Sequence, residues 1–433
     1  MLKTTVLSDS FLGEELISFV HPSGLEVKII PKKQKKAYAL FATHYGSMDN
    51  CFKTEQDEDF ITVPDGIAHF LEHKMFENED GSDTFAKFAE NKASANAFTS
   101  NEMTAYLFST TENHYENLET LIELATKPYF TEENVKKEVG IITQEINMYR
   151  DDPYYRVWFG LINALYKKSN LKIDIAGTEE SIKKITPEIL YRCHRSFYNP
   201  HNMLLCVCGP YEAEKVSEIC DKFIPALPDP KTEKRYPSEP CGINEKRVSV
   251  PLRVAMPLFM AGMKDDSDLS SLSPEERTHK MICHDLITDM LFSKSGEFFN
   301  KLYSMGLLND DFSFGYNLAA DYGFLELSGE SRDPDKVFEM CIDMIKDALN
   351  EPDKYFTSAA FERCKKASYG KAVQNWNTPA TICHNLVSCS FNGIGFWGME
   401  KTIAKIELED LKKLFCESYK PEMFALSVVE PIK

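Results

Sequence analysis

The sequence predicts an α+β protein made of two duplicated halves, each a largely antiparallel sheet with packed helices, facing each other across a chamber. Two internal repeats predict the duplication. A Tyr-x-Pro turn that leads into an apolar strand occurs at Tyr198 and again at Tyr419, 221 residues later. A Phe-Thr pair that opens a helical segment occurs at Phe130 and again at Phe356, 226 residues later. Since each offset is about half of the 433-residue chain, we expect one unit to occur twice.

The mixture of periodicities within each half predicts the α+β class. Alternating apolar residues predict strands at 25–30 and 37–45, and two further strands that form a hairpin around Asn101. Apolar residues recur at steps of four and three from Val135 to Tyr149, which predicts one long helix that begins after Thr131. Strands that follow one another, with helices clustered between them, favour a largely antiparallel sheet.

A turn-rich stretch separates the two halves. Residues 223–246 are rich in proline and show neither helical nor strand periodicity, which is typical of a linker. We therefore expect an N-terminal half over residues 1–222 and a C-terminal half over residues 247–433.

Composition and charge exclude several classes of function. With 67 acidic and 49 basic residues the net charge is −18, which repels phosphate backbones and anionic membrane surfaces. We expect no nucleic-acid partner and no membrane association, and the same charge favours a basic peptide as ligand. The sequence opens on no recognisable secretory signal, and its 12 cysteines show no paired spacing, so we expect a cytoplasmic protein.

The sequence GIAHFLEHKMFE carries the pattern His-x-x-Glu-His, formed by His69, Glu72 and His73. In a helix, the two histidines lie one turn apart on the same face, where one Zn²⁺ can accept both imidazole nitrogens. The pattern is the reverse of the His-Glu-x-x-His motif of many zinc peptidases. The alternative is a pair of structural histidines beside a coincidental glutamate.

The predicted long helix supplies two candidates for a third ligand. Glu138 and Glu145 are two turns apart and therefore share one face. A hydrolytic zinc site needs three protein ligands and an open position for water. The alternative is that both carboxylates lie on a solvated helix edge.

With these motifs, the sequence resembles the insulinase/pitrilysin family of inverted-motif zinc metallopeptidases, in its smaller, processing-peptidase-like branch. HFLEHKMF resembles the family's H-x-x-E-H-M-x-F core, ASANAFTSNEMTAYLF resembles its Asn-Ala-x-Thr strand hairpin, and KEVGIITQEINMYRDDP resembles its E-x6-E helix. The resemblance runs over the whole chain, including the duplicated halves.

The resemblance implies a zinc-dependent endopeptidase that hydrolyses peptides or short unfolded segments in an enclosed chamber. It implies that His69, His73 and Glu145 hold the zinc and that Glu72 is the general base. Glu138 would orient a ligand histidine. The alternative function is a non-catalytic structural or assembly subunit of the same fold, in which relatives have lost the zinc residues. The retention of all the motif residues here favours the enzyme.

The resemblance also implies a substrate-binding strand. Its residues are Asn96, Ala97, Phe98 and Thr99, on an expected edge strand that would pair with the peptide backbone. The alternative is a polar edge that is merely solvated.

One departure from the family concerns the C-terminal half, which usually presents an Arg and a Tyr to the substrate. The corresponding stretch, FFNKLYSMGLLNDDFSFGYN, contains no arginine. Tyr316 is the candidate for the tyrosine, whereas Lys301 is a poor substitute because an ammonium lacks the planar fork of a guanidinium. We therefore expect a dimer, formed by two copies or with a zinc-less sister chain that supplies the Arg and Tyr.

Overall fold

The computed structural model describes residues 3–432. The chain divides into two compact units, each assembled from separate stretches of sequence. Unit 1 comprises Met1–Ile146, Ile173–Pro237 and Asn375–Phe391. Unit 2 comprises Asn147–Lys172, Ser238–Gln374 and Asn392–Lys433.

The strands fall into three sheets, two of them large. The strands are β1 (Thr5–Asp9), β2 (Glu14–Val20), β3 (Glu26–Pro31), β4 (Ala37–Thr43), β5 (Cys51–Lys53), β6 (Ile61–Thr62), β7 (Ala93–Thr99), β8 (Thr104–Thr110), β9 (Met203–Gly209), β10 (Glu233–Lys234), β11 (Arg247–Leu252), β12 (Leu258–Lys264), β13 (Ser313–Leu318), β14 (Gly323–Glu330) and β15 (Phe424–Pro431).

The helices lie between the strands in both units. They are α1 (Ile67–Lys74), α2 (Thr84–Glu90), α3 (His114–Thr126), α4 (Glu132–Asp151), α5 (Pro153–Leu165), α6 (Glu179–Ile182), α7 (Pro187–Phe197), α8 (Ala213–Phe223), α9 (Pro274–Phe292), α10 (Glu297–Ser304), α11 (Pro334–Asn350), α12 (Pro352–Tyr355), α13 (Ser358–Gln374), α14 (Pro379–Phe391), α15 (Met399–Lys405) and α16 (Leu408–Ser418). Short 3-10 turns cover Asn170–Lys172, Pro200–Asn202 and Pro421–Met423.

The large sheet of unit 1 has seven strands in the order β1-β2-β3-β9-β4-β8-β7. The strands β3 and β9 are parallel, and the other neighbours are antiparallel. Every residue of β4 and β9 is buried, as expected for strands covered on both faces. The predicted hairpin is the β7–β8 pair, and β7 lies at the edge of the sheet.

The topology confirms the duplication. The five-stranded sheet of unit 2 has the order β11-β15-β12-β14-β13, which repeats the order β3-β9-β4-β8-β7 of unit 1. The parallel pair recurs at the same place, as β11 beside β15. The helices repeat as well, because α4 and α13 begin at Glu132 and Ser358, and α5 and α14 begin at Pro153 and Pro379. Both pairs are 226 residues apart, which is the offset of the Phe-Thr repeat at Phe130 and Phe356.

The two units differ from the sequence-predicted halves because they exchange one helix each. Helix α5 comes from the first half of the sequence but packs on β12 and β15 of unit 2. Helix α14 comes from the second half but packs on β9 and β4 of unit 1. Glycines permit the close approach of α5, since a Cβ at Gly160 would lie 2.3 Å from the Ser427 hydroxyl, and one at Gly262 would lie 2.8 Å from Leu161.

Between residues 3 and 432, none of the helices combines the length and the apolar run that crossing a membrane requires.

Candidate metal centre

Helix α1 carries the His-x-x-Glu-His pattern and is almost entirely buried. It begins after Gly66, whose φ of +87° and tight contact with the Ala176 carbonyl suit a residue without a side chain. Its apolar residues pack in the core of unit 1, and two polar side chains are buried with them, because His69 and Glu72 are only 7% and 8% exposed. Buried polar side chains need partners, and these lie on α4 and β7.

The structure brings His69, His73 and Glu145 together. The Nε2 atom of His69 lies 3.6 Å from Glu145 Oε1, and the Nε2 atom of His73 lies 3.5 Å from Glu145 Oε2. One ligand atom from each residue lies within 4.8 Å of the other two. The three side chains therefore surround a common point instead of pairing closely with one another.

This donor set fits zinc. Two imidazole nitrogens and one carboxylate oxygen match the His₂Glu set of catalytic zinc sites, which leave a fourth position for water. No other group of three or more potential metal ligands occurs among residues 3–432.

The contacts distinguish the two glutamates of α4. Glu138 accepts a hydrogen bond from His73 Nδ1 at 3.0 Å, on the side of the ring opposite Nε2. That bond fixes the tautomer in which Nε2 keeps its lone pair. Burial alone would raise the pKa of Glu138, but the bond from His73 and the nearby charge of Lys74 lower it below its ordinary value. Glu145 therefore faces the Nε2 atoms of both histidines, whereas Glu138 faces the outer nitrogen of His73.

His69 differs from His73 in its outer contacts. Its Nδ1 atom is buried and has no hydrogen-bond partner within the described part of the chain. A carboxylate therefore holds the outer nitrogen of His73, whereas no described residue forms a hydrogen bond with the outer nitrogen of His69.

Glu72 lies beside the ligand cluster and joins α1 to the edge strand. Its carboxylate accepts a hydrogen bond from the Thr99 hydroxyl at 2.6 Å. Burial raises the pKa of Glu72, although His69 and the Thr99 bond act in the opposite direction. The bond from Thr99 thus fixes the orientation of a carboxylate that is almost completely buried.

The predicted substrate strand is the edge strand β7, which contains Asn96, Ala97, Phe98 and Thr99 and pairs only with β8 among the described strands. The ring of Phe98 stacks on His384, with centroids 5.4 Å apart. His384 belongs to the exchanged helix α14, so no local pattern in the sequence could have placed it here.

Tyr316 lies in the hydrophobic core of unit 2. Its hydroxyl donates a hydrogen bond to the buried carboxylate of Asp265, and its ring stacks on His284 with centroids 3.8 Å apart. These contacts give the Tyr316 hydroxyl a structural partner within its own unit. Lys301 is exposed on α10.

Unit 2 does not repeat the metal ligands on its copy of α4. With the offset of 226 that relates α4 to α13, Glu138 corresponds to Cys364 and Glu145 corresponds to Lys371. A thiol and an ammonium group thus replace the two carboxylates. The second copy therefore lacks the two carboxylates that α4 contributes to the cluster.

The fold and the site together define a class of protein, the inverted-motif zinc metallopeptidases. Its marks here are the histidine pair on a buried helix, the glutamate on a second helix and the duplicated α+β unit. Residues 62–179 match the family described as insulinase (peptidase family M16), and residues 184–368 match the peptidase M16 inactive domain. The chain belongs to the M16, or insulinase, peptidase family.

The similar proteins confirm the resemblance seen in the motifs. The chain is 37% identical to the uncharacterized zinc protease YmfH of Bacillus subtilis, over 97% of each chain. Its structure matches a putative M16-like peptidase from Alicyclobacillus acidocaldarius with a TM-score of 0.91 and 31% identity, over 97% of this chain and 99% of that one. A protease from Helicobacter pylori matches with a TM-score of 0.79 and 16% identity, over the full length of both chains, and thereby shows the shared fold.

Proposed function

We propose that the protein is a zinc-dependent endopeptidase with Glu72 as its general base. The observation that carries the proposal is the cluster of His69, His73 and Glu145, whose ligand atoms lie within 4.8 Å of one another and which neighbours the Glu72 carboxylate. The names of the similar proteins, which include zinc proteases, support the same chemistry.

Each residue of the centre has a defined task in this proposal. Zinc on the three ligands would lower the pKa of a bound water and polarise the scissile carbonyl. Glu72 accepts the proton of the attacking water and passes it to the leaving amine, while Thr99 holds the carboxylate in position. Glu138 keeps His73 in the tautomer that the ligand role requires.

The edge strand β7 supports a peptide substrate. An extended peptide could add to its unpaired side, with main-chain hydrogen bonds supplying affinity independent of sequence. We propose that Asn96, Ala97, Phe98 and Thr99 form this contact, and that the substrates are peptides or short unfolded segments hydrolysed in an enclosed chamber.

A dimer in the cytoplasm completes the proposal. No arginine in the stretch around Tyr316 replaces the family's substrate-binding arginine, and the Tyr316 hydroxyl is engaged by Asp265. These observations support a zinc-less sister chain that supplies the missing Arg and Tyr.

Metal content and hydrolysis test the proposal together. We expect about one zinc per chain in the purified protein, consistent with a single three-ligand site. The variant His73→Ala should lose most of the zinc, whereas Glu72→Gln should keep the zinc and lose peptide hydrolysis.

Two results would contradict these assignments. Equal zinc loss in both variants would make Glu72 a ligand and not the base. A zinc-bound protein that hydrolyses no peptide, alone or with a sister chain, would favour a non-catalytic subunit of the same fold.

A further inference from the structure

Lys74 follows His73 on α1, and its side chain is completely buried. Lysine is seldom buried to this extent unless its ammonium group has anionic partners. The Nζ atom lies 2.7 Å from Glu77 Oε1 and 3.5 Å from Glu138 Oε2, and it donates to the Asn134 carbonyl at 3.3 Å. The ammonium group is therefore held between Glu77, which follows the end of α1, and helix α4.

Glu138 is shared by two consecutive residues of α1. Its Oε1 atom accepts the 3.0 Å hydrogen bond from His73 Nδ1, and its Oε2 atom faces Lys74 Nζ. Each carboxylate oxygen thus has its own cationic or N–H partner, which leaves the group little freedom to rotate. A carboxylate held at both oxygens presents a fixed acceptor to the histidine.

The positive charge of Lys74 lies close to a group of negative charges. Three carboxylates, those of Glu72, Glu138 and Glu145, act electrostatically on His73, and like charges near one another repel. An ammonium group on the far side of Glu138 offsets this repulsion.

We propose that Lys74 is a positioning residue for the metal centre: it fixes Glu138, and through Glu138 it orients His73 for zinc. The proposal rests on the proposed function, because it requires that the centre binds zinc. The competing explanation is structural, with Lys74 serving only to close the end of α1 through Glu77.

Zinc affinity, measured by competition with a chromogenic chelator, tests the proposal without relying on peptidase activity. The variant Lys74→Met removes the ammonium group and keeps an unbranched side chain of similar length. It should bind zinc about tenfold more weakly than the natural chain, at the lower end of the effect of losing an outer partner. Glu77→Gln is the matched control, since it removes the other carboxylate and leaves the Glu138 contact. It should change zinc affinity less than about twofold.

A double-mutant cycle separates positioning from a general structural effect. In a Glu138→Gln background the carboxylate that Lys74 positions is gone, so adding Lys74→Met should weaken zinc binding less than about twofold further. If Lys74→Met fails to fold, Lys74→Gln keeps an N–H donor and should give the same ordering with a smaller loss.

Several results would overturn the proposal. Unchanged or tighter zinc binding by Lys74→Met would mean that the ammonium group does not position Glu138. An equal loss with and without Glu138 would show that Lys74 acts by another route. If the natural chain itself binds no zinc, the proposed function fails, and this outcome is distinct from the others.

Discussion

The contact between α5 and the sheet of unit 2 supports a prediction about Gly160. A Cβ at this position would lie 2.3 Å from the Ser427 hydroxyl, but 3.4 Å from Ser427 Cβ and 3.5 Å from Val248. The hydroxyl is therefore the one atom among these that Gly160→Ala must displace. Removing it with Ser427→Ala should leave ordinary van der Waals contacts around the new methyl group.

The expected change in the free energy of unfolding is the sum of two opposing contributions. Overpacking a buried contact costs roughly 1–3 kcal/mol, whereas replacing a helical glycine by alanine gains about 1 kcal/mol. Gly160→Ala in the natural chain should therefore destabilise unit 2 by up to about 2 kcal/mol. In the Ser427→Ala background the same change should stabilise it by about 1 kcal/mol, because only the second of these two terms remains.

Thermal and urea unfolding of the natural chain, Gly160→Ala, Ser427→Ala and the double variant measure the coupling between the two positions. For a unit of about 200 residues, each kcal/mol shifts Tm by roughly 2–4 °C. The change of sign between the two backgrounds is the decisive result. An equal effect of Gly160→Ala in both backgrounds would refute the packing of α5 described above.

Three further predictions concern the metal, the partner and pH. Glu145→Gln should weaken zinc binding much more than Glu138→Gln, which should cost roughly 10–100-fold; chelator competition measures both, and the reverse order would exchange their roles. The chain alone should hydrolyse an unstructured basic peptide weakly, and a zinc-less sister chain that carries Arg and Tyr should raise kcat/KM by roughly 10²–10³; equal rates for the chain and the mixture would contradict this. Burial lowers the pKa of His284 to about 3, although Asp265 opposes the shift. The unfolded chain therefore takes up the proton first, and stability should fall as pH decreases from about 6.5 toward 3, by roughly 2 kcal/mol between pH 7 and pH 5. His284→Phe should remove that part of the pH dependence in urea unfolding, and an unchanged profile would contradict it.

The local parts of the site could be predicted from the sequence because their spacing is local. His69 and His73 are one turn apart on one helix, so their convergence follows from helix geometry alone. Glu145 lies on another helix, and the sequence pattern alone did not decide whether Glu145 or Glu138 is the third ligand. The family resemblance indicated the assignment, and the structure supplied the contacts that separate the two.

The exchange of α5 and α14 could not be predicted. Periodicity shows that a segment is amphipathic, but it does not show which sheet the apolar face covers. The sequence-based boundary at 223–246 followed the composition of the chain, whereas the compact units follow packing. The role proposed for Lys74 was equally hidden, since a single lysine carries no periodic signal and its burial depends on α4.

The helix exchange has a consequence for the order in which the protein is made. Strands β4 and β9 are complete by Gly209, yet the helix that packs on them, α14, ends at Phe391. While the ribosome is still synthesising the second half, the first sheet lacks this cover. Helix α5, in turn, leaves the ribosome before any strand of the sheet on which it packs. Domains usually fold in the order of their synthesis, but here the nascent N-terminal unit must wait for almost the whole chain before it can close its core.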